Sequence, residues 1–164
     1  MTIPRLNDTL ATQAALLEEL LALLERETPE LAGISLDAMA EINGLKEGVV
    51  ARIDEHTAPL RQAISQTAVS LGLPLDAALG EVAALLGRQG NKEIPRLHRE
   101  LNMLAEKIRQ AAMLNRDIAE RFVATVSNSL NFLAQILNQS PVYGASGGYQ
   151  RRQQTGAVMI NREA

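Results

Sequence analysis

From Ile94 to Phe122 a seam residue returns at alternating steps of three and four: Ile94, Leu97, Leu101, Leu104, Ile108, Ala111, Asn115, Ile118 and Phe122. An α-helix brings residues so spaced to one face, and a row this long is a seam along which one helix packs lengthwise on another. Beyond Phe122 come two steps of four (Val126, Leu130), then Leu133 and Leu137. The extra four is a stutter, which locally relaxes a left-handed supercoil. The pattern predicts one helix over 92–138, roughly 65 Å long at ~1.5 Å per residue. A compact globule of this length has a radius of gyration of only about 15 Å. The expected molecule is therefore elongated: a rod, or a helical hairpin with an overhanging end.

Three further helices are expected before it. Leu10, Ala14, Leu17, Leu21 and Leu24 repeat the same spacing in a first helix over 4–31, with Leu16, Leu20 and Leu23 widening its stripe. Gly33 is the expected stop. Ser35 and Asp37 are suited to cap and complement the exposed N–H groups of a second helix over 36–71. The short connection makes the two an antiparallel hairpin. Pro59 lies inside the second helix and predicts a kink or break near Glu55 to Ala58, because it removes a backbone bond and crowds the preceding turn. Gly44 and Gly48 either weaken this helix or admit a close neighbour. Gly72-Leu73-Pro74 breaks the chain before a short helix over 75–86 that ends at Gly87. Residues 87–91 are turn chemistry, and Pro95 is tolerated in the first turn of the last helix. The fold class is all-α, an elongated antiparallel helical hairpin or coiled-coil bundle with a long C-terminal helix.

Composition agrees. Leu and Ala make up 49 of the 164 residues and aromatic residues only 2%, which suits packed helices and not a β-sandwich. The absence of cysteine excludes a disulfide scaffold, a zinc ribbon, an iron–sulfur site and a thiol nucleophile. A net charge of −3 argues against nucleic-acid binding. No run approaches the ~18 apolar residues of a membrane span, and the N-terminus lacks the features of a secretory signal. The chain reads as soluble and intracellular, the alternative being secretion by a route that uses no cleaved signal. The segment from Gln139 differs: residues 1–138 carry −5, whereas 139–164 carry +2, four glycines and both tyrosines. It buries too little apolar surface to offset ordering and is expected to be a flexible tail.

Catalytic motifs are missing. There is no phosphate loop, dinucleotide fingerprint, nucleophile elbow or His-Glu-x-x-His pair, and no metal or cofactor is expected. His56 and His98 fall beside helix seams, where a solvent or carbonyl partner is the plain reading and a pH switch the sharper one. Asn115 occupies a seam position and has two readings. It is a buried asparagine that fixes register, or it marks a stretch where the helix faces no neighbour. Met103, Met113 and Phe132 add apolar surface off this seam, with two readings: contact with the first three helices, which is preferred for Met103, or an adaptable groove for a client helix.

The order of elements resembles the FlgN family: a leucine-rich first helix, a second carrying Glu41-Ile42-Asn43-Gly44-Leu45-Lys46, a long last helix, and a tail reading Val142-Tyr143-Gly144-Ala145-Ser146-Gly147. The closing Ile160-Asn161-Arg162-Glu163 also has the look of these proteins. The resemblance implies a cytoplasmic flagellar export chaperone without ATPase activity. Its clients would be the hook–filament junction proteins FlgK and FlgL, delivered to the export-gate protein FlhA. It implies a client site on the last helix, at Leu114, Asn115, Ile118, Phe122, Val126, Leu130, Leu133 and Leu137, and gate docking at Tyr143 and Gly144. The family often carries Asn-Gly in this helix; here Asn115 is kept and the glycine is replaced by Arg116.

The rival readings are a coiled-coil adaptor of another secretion apparatus, an enzyme and a helical nucleic-acid binder. Gene neighbourhood or co-purification with a client separates the first of these. Exposed leucine rows permit either a monomer or a homodimer.

Overall fold

A computed structural model describes residues 2–138, which form four helices: α1 (Thr2–Gly33), α2 (Leu36–Ser70), α3 (Leu79–Arg88) and α4 (Glu93–Asn138). There is no strand among the described residues. The chain divides into two compact units, Met1–Arg121 and Phe122–Ala164. The tail at 139–164, with Tyr143 and Gly144, lies outside the described residues.

In the first unit α1 and α2 are antiparallel, and side-chain pairs record their register. Arg5 donates to Gln62 and Gln66, His56 meets the Thr9 carbonyl, Arg52 pairs with Glu19, and Lys46 with Glu27. As α1 advances its partners recede along α2, as a hairpin requires. Exposed pairs such as Arg52–Glu19 contribute only ~0–1 kcal/mol each. Burial is the larger effect. Leu6 and Leu10 of α1, Ala63 and Ala68 of α2, Val82 and Leu86 of α3, and Ile94 and Leu97 of α4 share one core. A fully buried leucine contributes ~1.5–3 kcal/mol.

All three connections close by one device. After α1, the N–H of Ser35 donates to the Glu30 carbonyl and that of Ile34 to Leu31. After α2, Leu73 donates to Ala68 and Gly72 to Val69; after α3, Asn91 donates to Leu86 and Gly90 to Gly87. These are paired six-to-one and five-to-two bonds, which need a left-handed residue just past the helix. Gly72 (φ 76°) and Gly90 (φ 91°) serve in two of them. In the first, the left-handed residue is Ile34 at φ 57°. Gly33 is thus the last helical residue, one position short of where its freedom would be used. Ser35 is at the N-cap position of α2, but its hydroxyl makes no capping bond.

The expected break at Glu55 to Ala58 does not occur: α2 runs without interruption through Pro59. Pro59 and Glu55, the residue whose carbonyl loses its donor, are both exposed. Ile42 and Val49 before the proline, and Ala63 and Ala68 after it, are all buried and hold the helix through it. Nothing lies within 4 Å of a Cβ built at Gly44 or Gly48, so neither admits a close neighbour.

The third helix begins later than expected. Residues 75–78 are non-helical, and Leu75 is exposed. The Glu81 carboxylate accepts the Ala78 N–H at 2.9 Å, fixing the start. Nor does Gly87 end α3: the helix continues to Arg88. A Cβ at Gly87 would lie 3.3 Å from Pro95 Cγ, so this glycine lets α3 approach the first turn of α4. Asn91 starts α4, its Oδ1 accepting the N–H groups of Glu93 and Ile94, each at 3.0 Å.

Candidate functional site

The long helix α4 has two chemically different portions. From Glu93 to Arg121 it carries eleven charged residues. Several form pairs within the helix: Arg96 with Glu93 and Glu100, Arg109 with Glu106, and Arg116 with Glu120. Hydrogen bonding to Arg96 lowers the Glu93 carboxyl below its usual range, and the bond to Glu120 makes Arg116 a still weaker acid. From Phe122 there is no charged residue until Arg151. The last charged turn before Phe122 thus marks a change in surface chemistry.

In the first unit, Asn115 is only 5% exposed. Its Nδ2 donates to the Leu24 carbonyl and to Glu27 Oε2, both at 2.9 Å, and its Oδ1 accepts the Thr28 hydroxyl at 2.7 Å. Glu27, itself 7% exposed, takes Lys46 Nζ on its other oxygen at 2.7 Å. One polar cluster thereby ties α4, α1 and α2 together. Asn115 is thus buried, as the first of its two readings requires, and the alternative of a row facing no neighbour is corrected. The Asn115 amide is spent on α1, and a client helix cannot meet it without displacing those bonds. Ile118 is half-buried and Leu114 is exposed.

In the second unit, described here to Leu137, every side chain from Phe122 is exposed. Phe122 and Val126 are 38% and 40% exposed, Leu130 60% and Leu137 74%. Leu133 is also exposed, and so are Val123, Phe132 and Ile136. At ~100° per residue these apolar side chains occupy about half of the helix circumference, wider than the two-position seam of a coiled coil. The remaining positions are Ala or the uncharged polar residues Thr125, Ser127, Asn128, Ser129, Asn131 and Gln135. Such an apolar face is a candidate docking surface.

Other candidates resolve differently. His56 has the carbonyl partner expected of it, Thr9, at 2.9 Å. His98 pairs with Asn102 and lies over Gly80. Met103 is exposed rather than packed on the earlier helices, and Met113 is exposed as well. The groove lined by Leu20, Asn43, Lys46, Val50 and Asp54 is wide open and gathers no catalytic constellation. No cluster of potential metal ligands occurs among the described residues. No helix among them is long and apolar enough to cross a membrane.

Two features escaped the spacing of apolar residues. Stepping on from Leu24 in the α1 row leads to Thr28 and Leu31, with Glu27 alongside, so polar residues interrupt both facing rows at one level. That coincidence signals a buried polar pair. The second feature is the charge-free run from Phe122, visible only when charge is followed along the helix.

No curated protein and no solved structure matches the chain. The family model described as FlgN protein matches residues 1–151, a span that covers all four helices. The chain belongs to the FlgN family, the flagellar export chaperones that bind hook-associated proteins, a family of chaperones and not of enzymes.

Proposed function

We propose that this chaperone acts in the cytoplasm on the hook–filament junction proteins FlgK and FlgL, holding their C-terminal helical region on α4 and delivering them to the export-gate protein FlhA. The exposed apolar face from Phe122 to Leu137 carries the proposal. A subunit awaiting assembly has amphipathic helices without partners. A chaperone helix with uncovered apolar surface completes them as a mixed bundle and keeps them from aggregating. Phe122, Val126, Leu130, Leu133 and Leu137 are the proposed anchors. The family resemblance implies client contact at Leu114 and Ile118 as well; in the first unit Leu114 is exposed and Ile118 half-buried. Tyr143 and Gly144 are the proposed gate-docking residues, and Tyr is a residue type enriched at interface hot spots.

The test is calorimetry with a C-terminal helical peptide of a FlgK-type client. Val126→Asp and Leu130→Asp place a carboxylate in the apolar contact and should each weaken binding by about tenfold or more. Circular dichroism should show the helices intact. Unchanged affinity in both variants would remove the site assignment.

A further inference from the structure

We infer that the helix docking on Phe122–Leu137 is itself uncharged along its contact face and its flanks, with Ser, Thr, Asn or Gln where amphipathic helices ordinarily carry Glu and Lys. This rests on the docking surface proposed above and names the chemistry of its occupant. Over these residues the chain has no Asp, Glu, Lys or Arg, and every polar position is a hydroxyl or a carboxamide. The preceding portion of the same helix carries eleven charges, so neutrality here is local and not a property of the chain. In a helical bundle the positions flanking an apolar seam lie against the flanks of the partner, where charged residues normally pair across the interface. A Glu or Lys on the partner would find no counter-charge on this face and would be partly desolvated without compensation. Hydroxyl and carboxamide groups, in contrast, can donate to and accept from their own kind. A helix lying on a membrane surface would present Lys and Arg on its polar side, and this one presents neither.

Two consequences separate this surface from an ordinary coiled-coil seam. It excludes charged amphipathic helices, and its affinity does not depend on ionic strength, since no opposed charges exist to be screened. Two synthetic peptides of about 20 residues, long enough to form helix on a template, test both. They share one Leu/Val face; one is flanked by Ser, Asn and Gln, the other by Glu and Lys. Each is titrated calorimetrically into the full chain at about 50 mM and about 500 mM NaCl. The neutral-flanked peptide should bind at least about tenfold more tightly, with a Kd that moves less than about twofold with salt. Equal affinities, or a neutral-peptide Kd that changes about tenfold with salt, overturn the inference and leave the docking surface standing. If neither peptide binds, or if Leu130→Asp retains the neutral peptide, the docking surface falls and the inference with it. A dimer in sedimentation equilibrium that Leu130→Asp dissociates assigns the face to a second copy and overturns the inference too.

Discussion

Asn115 Nδ2 lies 2.9 Å from Glu27 Oε2, a hydrogen bond between two side chains that are each less than a tenth exposed and stand 88 residues apart. Glu27 in turn holds Lys46. A charged group at this depth is tolerated only because both of its oxygens are occupied. Asn115→Ala should therefore destabilise the first unit by about 2–4 kcal/mol, because it strips the donor from one oxygen of a buried carboxylate; the Thr28 hydroxyl keeps its bond to the Leu24 carbonyl. Replacing both Glu27 and Asn115 by Leu should recover most of that loss, because an apolar pair needs no such satisfaction. Urea denaturation of Glu27→Leu, Asn115→Leu and the double variant closes a double-mutant cycle, and a coupling below about 0.5 kcal/mol would show that the bond is not formed in solution.

Ile34 holds a left-handed conformation that suits glycine, and β-branching makes it a poor occupant. Ile34→Gly should raise stability by up to about 1 kcal/mol, with relief of strain exceeding the entropy lost by the freer glycine chain. The side chain is half exposed, so little burial is forfeited. Thermal unfolding reads the change directly; a lower Tm would mean that the isoleucine makes a contact worth more than its strain.

Gly87 and Gly44 should respond oppositely to alanine. A methyl at Gly87 would meet the Pro95 ring at 3.3 Å, and with the ring fixed in the first turn of α4 the substitution should cost about 1–3 kcal/mol. A methyl at Gly44 meets nothing within 4 Å, so the better helix former should stabilise α2 by roughly 0.5–1 kcal/mol. Parallel denaturation of the two variants gives the comparison, and the same sign for both would contradict the packing described.

Helix number, type and approximate span were legible because seams of leucine and alanine admit only one secondary structure. The helix runs on where Pro59 predicts a break, because a sequence window cannot see that Pro59 and Glu55 are both exposed while buried residues on both sides clamp the helix. Gly87 and Gly90 show the same limit: both are turn residues by composition, yet one lets helices approach and the other supplies the positive φ. The candidate surface was only half legible. Apolar spacing marked Phe122, Val126, Leu130, Leu133 and Leu137, but it also marked Asn115, whose burial depends on Glu27 from a distant helix. Pro59→Ala should stabilise the protein, by at most about 3 kcal/mol, because the clamp persists while the missing bond returns. An unchanged urea midpoint would mean that the proline's cost is already met in full by its surroundings.

Hydrogen–deuterium exchange along α4, with and without a C-terminal helical peptide of a FlgK-type client, tests the docking surface most directly. Side chains from Phe122 to Leu137 are exposed in the free chain, so amides there should open readily and become protected when a partner covers the helix. Protection concentrated at 122–137, with exchange in α1 and α2 unchanged, is the expected result. Protection confined to the α1–α2 hairpin, with 122–137 exchanging as in the free chain, would contradict it.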